Sequence, residues 1–288
     1  MWKRNKNIET FLGCDSEYDE AKAVLFGAPF DSTTSFRPGT RFASKVMRSE
    51  SFGLETYSPY QDRDLSEIAV FDGGDPELCF GDTQKALEQI TAFVDPILRD
   101  KKLPVMVGGE HLVTLGAVRA AVRHHPELHI LHFDAHADLR EEYLSATLSH
   151  ATVLRRVWDF VGDGRIFQFG IRSGDRSEFL WGRDHVTTRK FDFEGLEEIV
   201  RSLMGKPVYV TIDLDVLDPS VFPGTGTPEP GGVSFLELLR AVLSLKGLDI
   251  VGCDICELSP VYDQSGVSTA AACKILRELL LTVVPASE

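Results

Sequence analysis

The sequence predicts an α/β protein of three layers, with a mostly parallel central sheet held between helices. Short apolar runs alternate with longer stretches of helical period along all 288 residues. Repeated β-then-α order puts helices on both faces of a parallel sheet. The polar clusters able to do chemistry directly follow apolar runs, and the carboxyl ends of parallel strands are where such sheets collect ligands.

Strands are expected at 23–28, 68–71, 105–107, 129–133, 166–170, 208–212 and 249–254, each a mainly apolar run of strand length. Helices are expected at 41–50, 83–99, 112–125, 148–161, 193–204, 234–245 and 266–282. Pro96 should kink or end the second helix. The run at 105–107 closes on Gly108 and Gly109, a pair that lets the backbone turn tightly before the third helix. No Pro-, Gly- or Ser-rich linker divides the chain, so residues 1–288 read as one domain.

Asp and Glu number 44 against 30 Lys and Arg, a formal net charge of −14. That balance argues against nucleic acid or an anionic membrane as partner, since both require basic patches, and it is compatible with a small cationic ligand. The start of the chain is basic but lacks the apolar core of a signal peptide, and no apolar stretch of about 18 residues appears, so a cytoplasmic location is expected. Five cysteines, at 14, 79, 253, 256 and 273, suit a reducing compartment better than a disulfide framework. Cys253 and Cys256 have redox or zinc spacing, but they sit in an apolar run without a second pair and read as buried strand residues.

The run at 129–133 feeds Asp134, His136 and Asp138 at every second position, so in a strand all three side chains leave by one face. One histidine and two carboxylates at a buried strand end are costly to desolvate without a divalent cation. The mixed nitrogen and oxygen set suits manganese, zinc, iron or cobalt better than calcium or magnesium. The run at 208–212 feeds Asp213 and Asp215 in the same period, and His111 follows the glycine pair. Six ligands are too many for one ion once bridging waters are counted. They suit two ions sharing carboxylates, roughly 3.5 to 4 Å apart, a pair that polarises a bound water to hydroxide.

In order and spacing, Gly108-Gly109-Glu110-His111, Asp134-Ala135-His136-Ala137-Asp138 and Asp213-Leu214-Asp215-Val216-Leu217-Asp218-Pro219 resemble the three metal motifs of the ureohydrolases, the arginase and agmatinase family. Further matches lie at 36–41, at 224–232 and at Glu257-Leu258-Ser259-Pro260; the last, with 51–57, is more similar to agmatinase than to arginase. The resemblance covers nearly the whole chain and implies an arginase-like fold. It implies one metal on His111, Asp134, Asp138 and Asp213 and a second on Asp134, His136, Asp213 and Asp215, with Asp134 and Asp213 bridging. The implied cofactor is two manganese ions per chain, with cobalt, nickel or zinc as alternatives. By the same resemblance, a hydroxide shared by the metals attacks the guanidinium carbon and Asp138 orients it. His150 moves a proton to the departing amine, and Glu257 holds the guanidinium by two parallel charge-assisted hydrogen bonds. Assembly as a homotrimer or homohexamer is also implied.

The segment 139–149 bears on the other end of the substrate. Arginases, by resemblance, place small polar residues there for an α-carboxylate and α-amine, and that pattern is missing. Glu141 and Glu142 favour a lone ammonium, as in agmatine, whereas Arg140 suits the carboxylate of a guanidino acid. The expected function is hydrolysis of agmatine to putrescine and urea. The alternatives are another guanidino or formimino substrate (guanidinobutyrate, guanidinopropionate, arginine or formiminoglutamate) and a non-catalytic protein whose metals stabilise an oligomer. Arg172 and Glu178 are expected to form an internal ion pair, and His132, on the face of Asp134, to be a satisfied buried histidine or, as the alternative, an outer partner of the ligands. Ala137 and Leu112 depart from the threonine and serine common at those points in the family.

Overall fold

A computed structural model describes residues 7–286. In chain order the elements are β1 (Ala23–Ala28), α1 (Ala43–Ser51), β2 (Tyr57–Ser58), β3 (Arg63–Asp64), β4 (Val70–Asp72), α2 (Thr83–Arg99), β5 (Leu103–Gly108), α3 (Val113–His124) and β6 (His129–Phe133). There follow α4 (Val153–Val161), β7 (Ile166–Ile171), α5 (Arg176–His185), β8 (Thr187–Lys190), α6 (Leu196–Leu203), β9 (Pro207–Asp213), α7 (Phe235–Ser244), β10 (Asp249–Cys256) and α8 (Val267–Val283). Eight strands form one parallel sheet in the order β4-β1-β5-β10-β9-β6-β7-β8, and β2 pairs with β3 in a small antiparallel ribbon.

The central strands read as continuous apolar runs because both of their faces are covered. Val105, Val107, Leu131, Phe133, Val210 and Ile212 share a core with α1, α6, α7 and α8. Their alternates, Met106, Ile130 and Tyr209, share the opposite core with α2, α3 and α4. The chain passes from β5 to β6 over two places that β9 and β10 fill later. That switch sets the carboxyl ends of β5, β10, β9 and β6 side by side, the crevice in which open parallel sheets bind ligands.

Every expected strand and helix forms within a few residues of its expected position, with informative departures. Pro96 does not end α2, which runs on for three more residues to Arg99. The helix expected from 148 opens instead as a 3-10 turn at His150–Thr152, capped by the Ser149 side chain, and becomes α-helical only at Val153. The sequence gives no warning of α5, β8 or the β2–β3 ribbon. No helix among the described residues is long and apolar enough to cross a membrane.

Candidate active site

The four adjacent strand ends bring the charged side chains together. His111 follows β5, Asp134 follows β6, Asp213 ends β9 and Glu257 follows β10. His111 Nδ1 lies 3.0 Å from Asp134 Oδ2, 3.1 Å from Asp138 Oδ2 and 3.5 Å from Asp213 Oδ2. His136 Nδ1 lies 3.0 Å from Asp215 Oδ2 and 3.6 Å from Asp134 Oδ1. The six side chains thus form two overlapping groups with Asp134 common to both.

Hydrogen bonding fixes which nitrogen of His111 faces this cluster. The Thr211 hydroxyl donates its one proton to Asp254 Oδ1 at 2.6 Å, so it accepts from His111 Nε2–H at 2.9 Å. In the neutral ring Nδ1 therefore carries the lone pair, and it is buried with no hydrogen-bond partner among three converging carboxylates. Lone pairs converging on buried carboxylates are satisfied by a cation, and the donor set fits two of them. His132 lies within reach of the same group but is no ligand: Nε2 donates to Asp134 at 2.8 Å and Nδ1 accepts from Gln168 Nε2 at 3.0 Å, leaving no free lone pair. It orients Asp134 from behind, as outer partners of metal ligands do. His132, Thr211 and Asp254 occupy one row across β6, β9 and β10, a buried polar strip directly beneath the cluster.

Electrostatics point the same way. Burial pushes Asp138 up to about 7, helped by the Asp134 charge, and raises Asp213 and Glu257 well above the carboxylate range. His111 is buried and His136 half-buried, which alone would lower them, but the surrounding carboxylates hold both well above the ordinary imidazole value. Left to itself the cluster retains protons, and divalent cations would take their place. Asp138 and Glu257 also adopt left-handed backbone, φ 53° and 66°, which is uncommon outside glycine and better tolerated by aspartate than by glutamate. The glycine pair serves close approach more than turning. A Cβ on Gly109 would sit 1.9 Å from the Phe30 carbonyl oxygen, and neither Gly108 nor Gly109 has positive φ.

A cleft of about 200 Å³ opens over the cluster, lined by His111, His136, Asp138, Asp213 and Glu257 together with Ser35, Arg140, Tyr143, His150 and Thr227. A larger surface groove of about 620 Å³ along α6 and α7 has no histidine or cysteine in its lining. His150 Nε2 lies 3.2 Å from Ser35 Oγ, and its ring meets Tyr143 edge-on at 5.7 Å. Burial pulls His150 down to about 4, so the ring is neutral at pH 7 rather than near its ordinary value. Glu257 Oε1 accepts the backbone N–H of His111 at 2.7 Å.

Several sequence expectations are redrawn around the cleft. Glu141 and Glu142 are exposed and lie outside its lining, because the chain reverses at the Tyr143–Ala146 bridge and turns Arg140 and Tyr143 inward instead. Arg172 and Glu178 do not pair with one another. Arg172 donates to the carbonyls of Asp215 (2.7 Å), Val216 (3.1 Å) and Glu229 (2.7 Å), tying the turn after β9 to the 224–232 loop. Glu178 accepts from the backbone of Leu139 and Asp175 and pairs with Arg140 at 3.3 Å, while Asp175 takes the other side of that guanidinium at 3.1 Å. Thr211, Asp254 and Gln168 are the supporting residues that sequence reasoning missed. Their one signal is polarity inside otherwise apolar strands.

An open parallel sheet with paired imidazoles and four aspartates at its central strand ends defines a protein built to hold two metal ions over a cleft. The family is equally plain: the arginase family model matches residues 21–282, and the chain belongs to the arginase family as a ureohydrolase enzyme. An agmatinase of Halalkalibacterium halodurans is 46% identical over 277 residues, covering 95% of this chain and 96% of that protein. A solved structure from Clostridium difficile is 52% identical, with a TM-score of 0.89, covering 92% of this chain and 98% of that one. The agmatine ureohydrolase of Thermoplasma volcanium is 34% identical with a TM-score of 0.87, covering 96% and 94% of the two chains.

Proposed function

We propose that this ureohydrolase is a manganese agmatinase, hydrolysing agmatine to urea and putrescine, a polyamine. The carrying observation is that the one arginine lining the cleft, Arg140, is already committed. Its guanidinium pairs with Asp175 and Glu178 and lies 4.5 Å above the Tyr143 ring. No Lys and no other Arg lines the cleft among the described residues, so the carboxylate of a guanidino acid finds no unpaired cation there. The ammonium of agmatine needs none, and full-length similarity to agmatinases supports the same substrate.

In this reading His111, Asp134, Asp138 and Asp213 hold one ion, and Asp134, His136, Asp213 and Asp215 the other. The ions supply a water activated for attack on an amidine carbon. The protein does the rest. Glu257, engaged by His111 at Oε1, offers Oε2 to a guanidinium N–H and fixes the carbon over the cluster. His150, neutral at rest, accepts a proton and returns it to the departing amine. Glu141 and Glu142 add only long-range attraction for a cation. We place the protein in the cytoplasm and read residues 1–288 as one domain assembled as a homotrimer or homohexamer.

The test is kcat/KM, measured with manganese-loaded protein, for agmatine, arginine, 4-guanidinobutyrate, 3-guanidinopropionate and formiminoglutamate. Agmatine should exceed each of the others by about tenfold or more, as expected when a charged group is left unpaired in a cleft. Preference for a guanidino acid would overturn the substrate assignment and make Arg140 its carboxylate partner.

A further inference from the structure

We propose that Thr33, held in place by the buried carboxylate of Glu110, is a positioning residue for His150. The inference rests on the proton-transfer role proposed for His150. Glu110 precedes His111 in the chain, is fully buried, and takes no part in the ligand cluster. Its carboxylate instead anchors the segment after β1: Oε2 accepts from Thr33 N at 2.8 Å and Thr34 Oγ1 at 3.2 Å, and Oε1 accepts from Thr33 Oγ1 at 2.5 Å. A hydroxyl has one proton to give. With that proton on Glu110, Thr33 Oγ1 is an acceptor towards the other side, where the backbone N–H of His150 donates to it at 3.1 Å. Two residues further on, Ser35 Oγ meets His150 Nε2 at 3.2 Å.

One short segment therefore holds His150 twice, by its main chain and by its ring, and Glu110 fixes that segment to the end of β5. The same strand end presents His111 to the cluster. This links the placement of the proton-carrying ring to the placement of the ligands, across 117 residues of sequence from Thr33 to His150. Precise placement matters because proton transfer works only within hydrogen-bond reach of the departing nitrogen.

The experiment compares Thr33→Val, Thr33→Ser and Ser35→Ala in the full-length, manganese-loaded protein, each alone and combined with His150→Ala. The readouts are kcat and KM for agmatine and metal per chain. Thr33→Val keeps the shape and removes the hydroxyl; kcat should fall about tenfold with KM within about twofold and two ions retained. Thr33→Ser should recover most of that loss. In the His150→Ala background neither Thr33→Val nor Ser35→Ala should lower kcat further, since both act through the ring that is gone. Unchanged kcat in Thr33→Val, or the same further loss in the His150→Ala background, overturns the proposal. If Thr33→Val fails to fold or to retain metal, Ser35→Ala, at an exposed position, decides: no loss of kcat, or a loss that persists without His150, overturns it. An unimpaired His150→Ala enzyme would sink the role of His150 and this inference together, whereas an impaired one beside a normal Thr33→Val sinks the inference alone.

Discussion

Asp134 stands within reach of both imidazoles and is gripped from behind by His132. Asp134→Ala should take metal content from two ions per chain to near none by elemental analysis, and Asp213→Ala should do the same; two retained ions would refute the shared-carboxylate arrangement. His150→Ala should keep both ions and lose about 10²-fold or more in kcat, the usual worth of a positioned proton donor. Metal affinity should also depend on pH. Asp138 is raised to about 7, so below that it holds a proton that an entering ion must displace. Affinity should then fall as pH is lowered, by up to about tenfold per pH unit for each proton displaced, in chelator competition between pH 6 and 8. At this scale the sequence was informative where function follows strand period. Asp134, His136, Asp138, Asp213 and Asp215 announce themselves by alternation. Thr211, Asp254 and Gln168 do not, because they act by hydrogen bonds between strands that are distant in sequence.

Elements covered on both faces were the easiest to read. Strands β1, β5, β6, β9 and β10 carry unbroken apolar runs, and α2 a clear helical period. Strand β8 is Thr-Thr-Arg-Lys, an edge strand paired on one side, and without apolar residues it leaves no strand pattern. Helix α5, Arg-Ser-Glu-Phe-Leu-Trp-Gly-Arg-Asp-His, buries only Glu178 and Gly182 fully, so its period is faint. The join between β5 and β1 depends on Gly109 having no side chain. Gly109→Ala should cost about 2 kcal/mol in denaturant unfolding, as overpacked cores do, and weaken metal binding, because the same backbone carries Glu110 and His111. Unchanged stability and metal affinity would mean that β1 yields without disturbing the site.

For the whole molecule, the strand order matters most: a crossover that leaves room for β9 and β10 gathers four strand ends at one place, and no local pattern in the sequence reveals it. Only the likeness of the motifs to a known family made that assembly expected. The folded strand ends gather ligands that the unfolded chain keeps apart, so metal binding and folding are linked. Loading with manganese at about 100 times Kd should add about 2.7 kcal/mol of stability per independent site, and chelation should lower the unfolding midpoint by several degrees in calorimetry. An unmoved midpoint would mean that the ions are not held by the folded strand ends. The central claim is that two ions at those strand ends serve agmatine hydrolysis. Its most direct test is urea and putrescine release from agmatine, followed as metal-free protein is titrated with manganese. Equal amounts of the two products, at a rate that plateaus at two ions per chain, are expected; two bound ions with no urea released would contradict it.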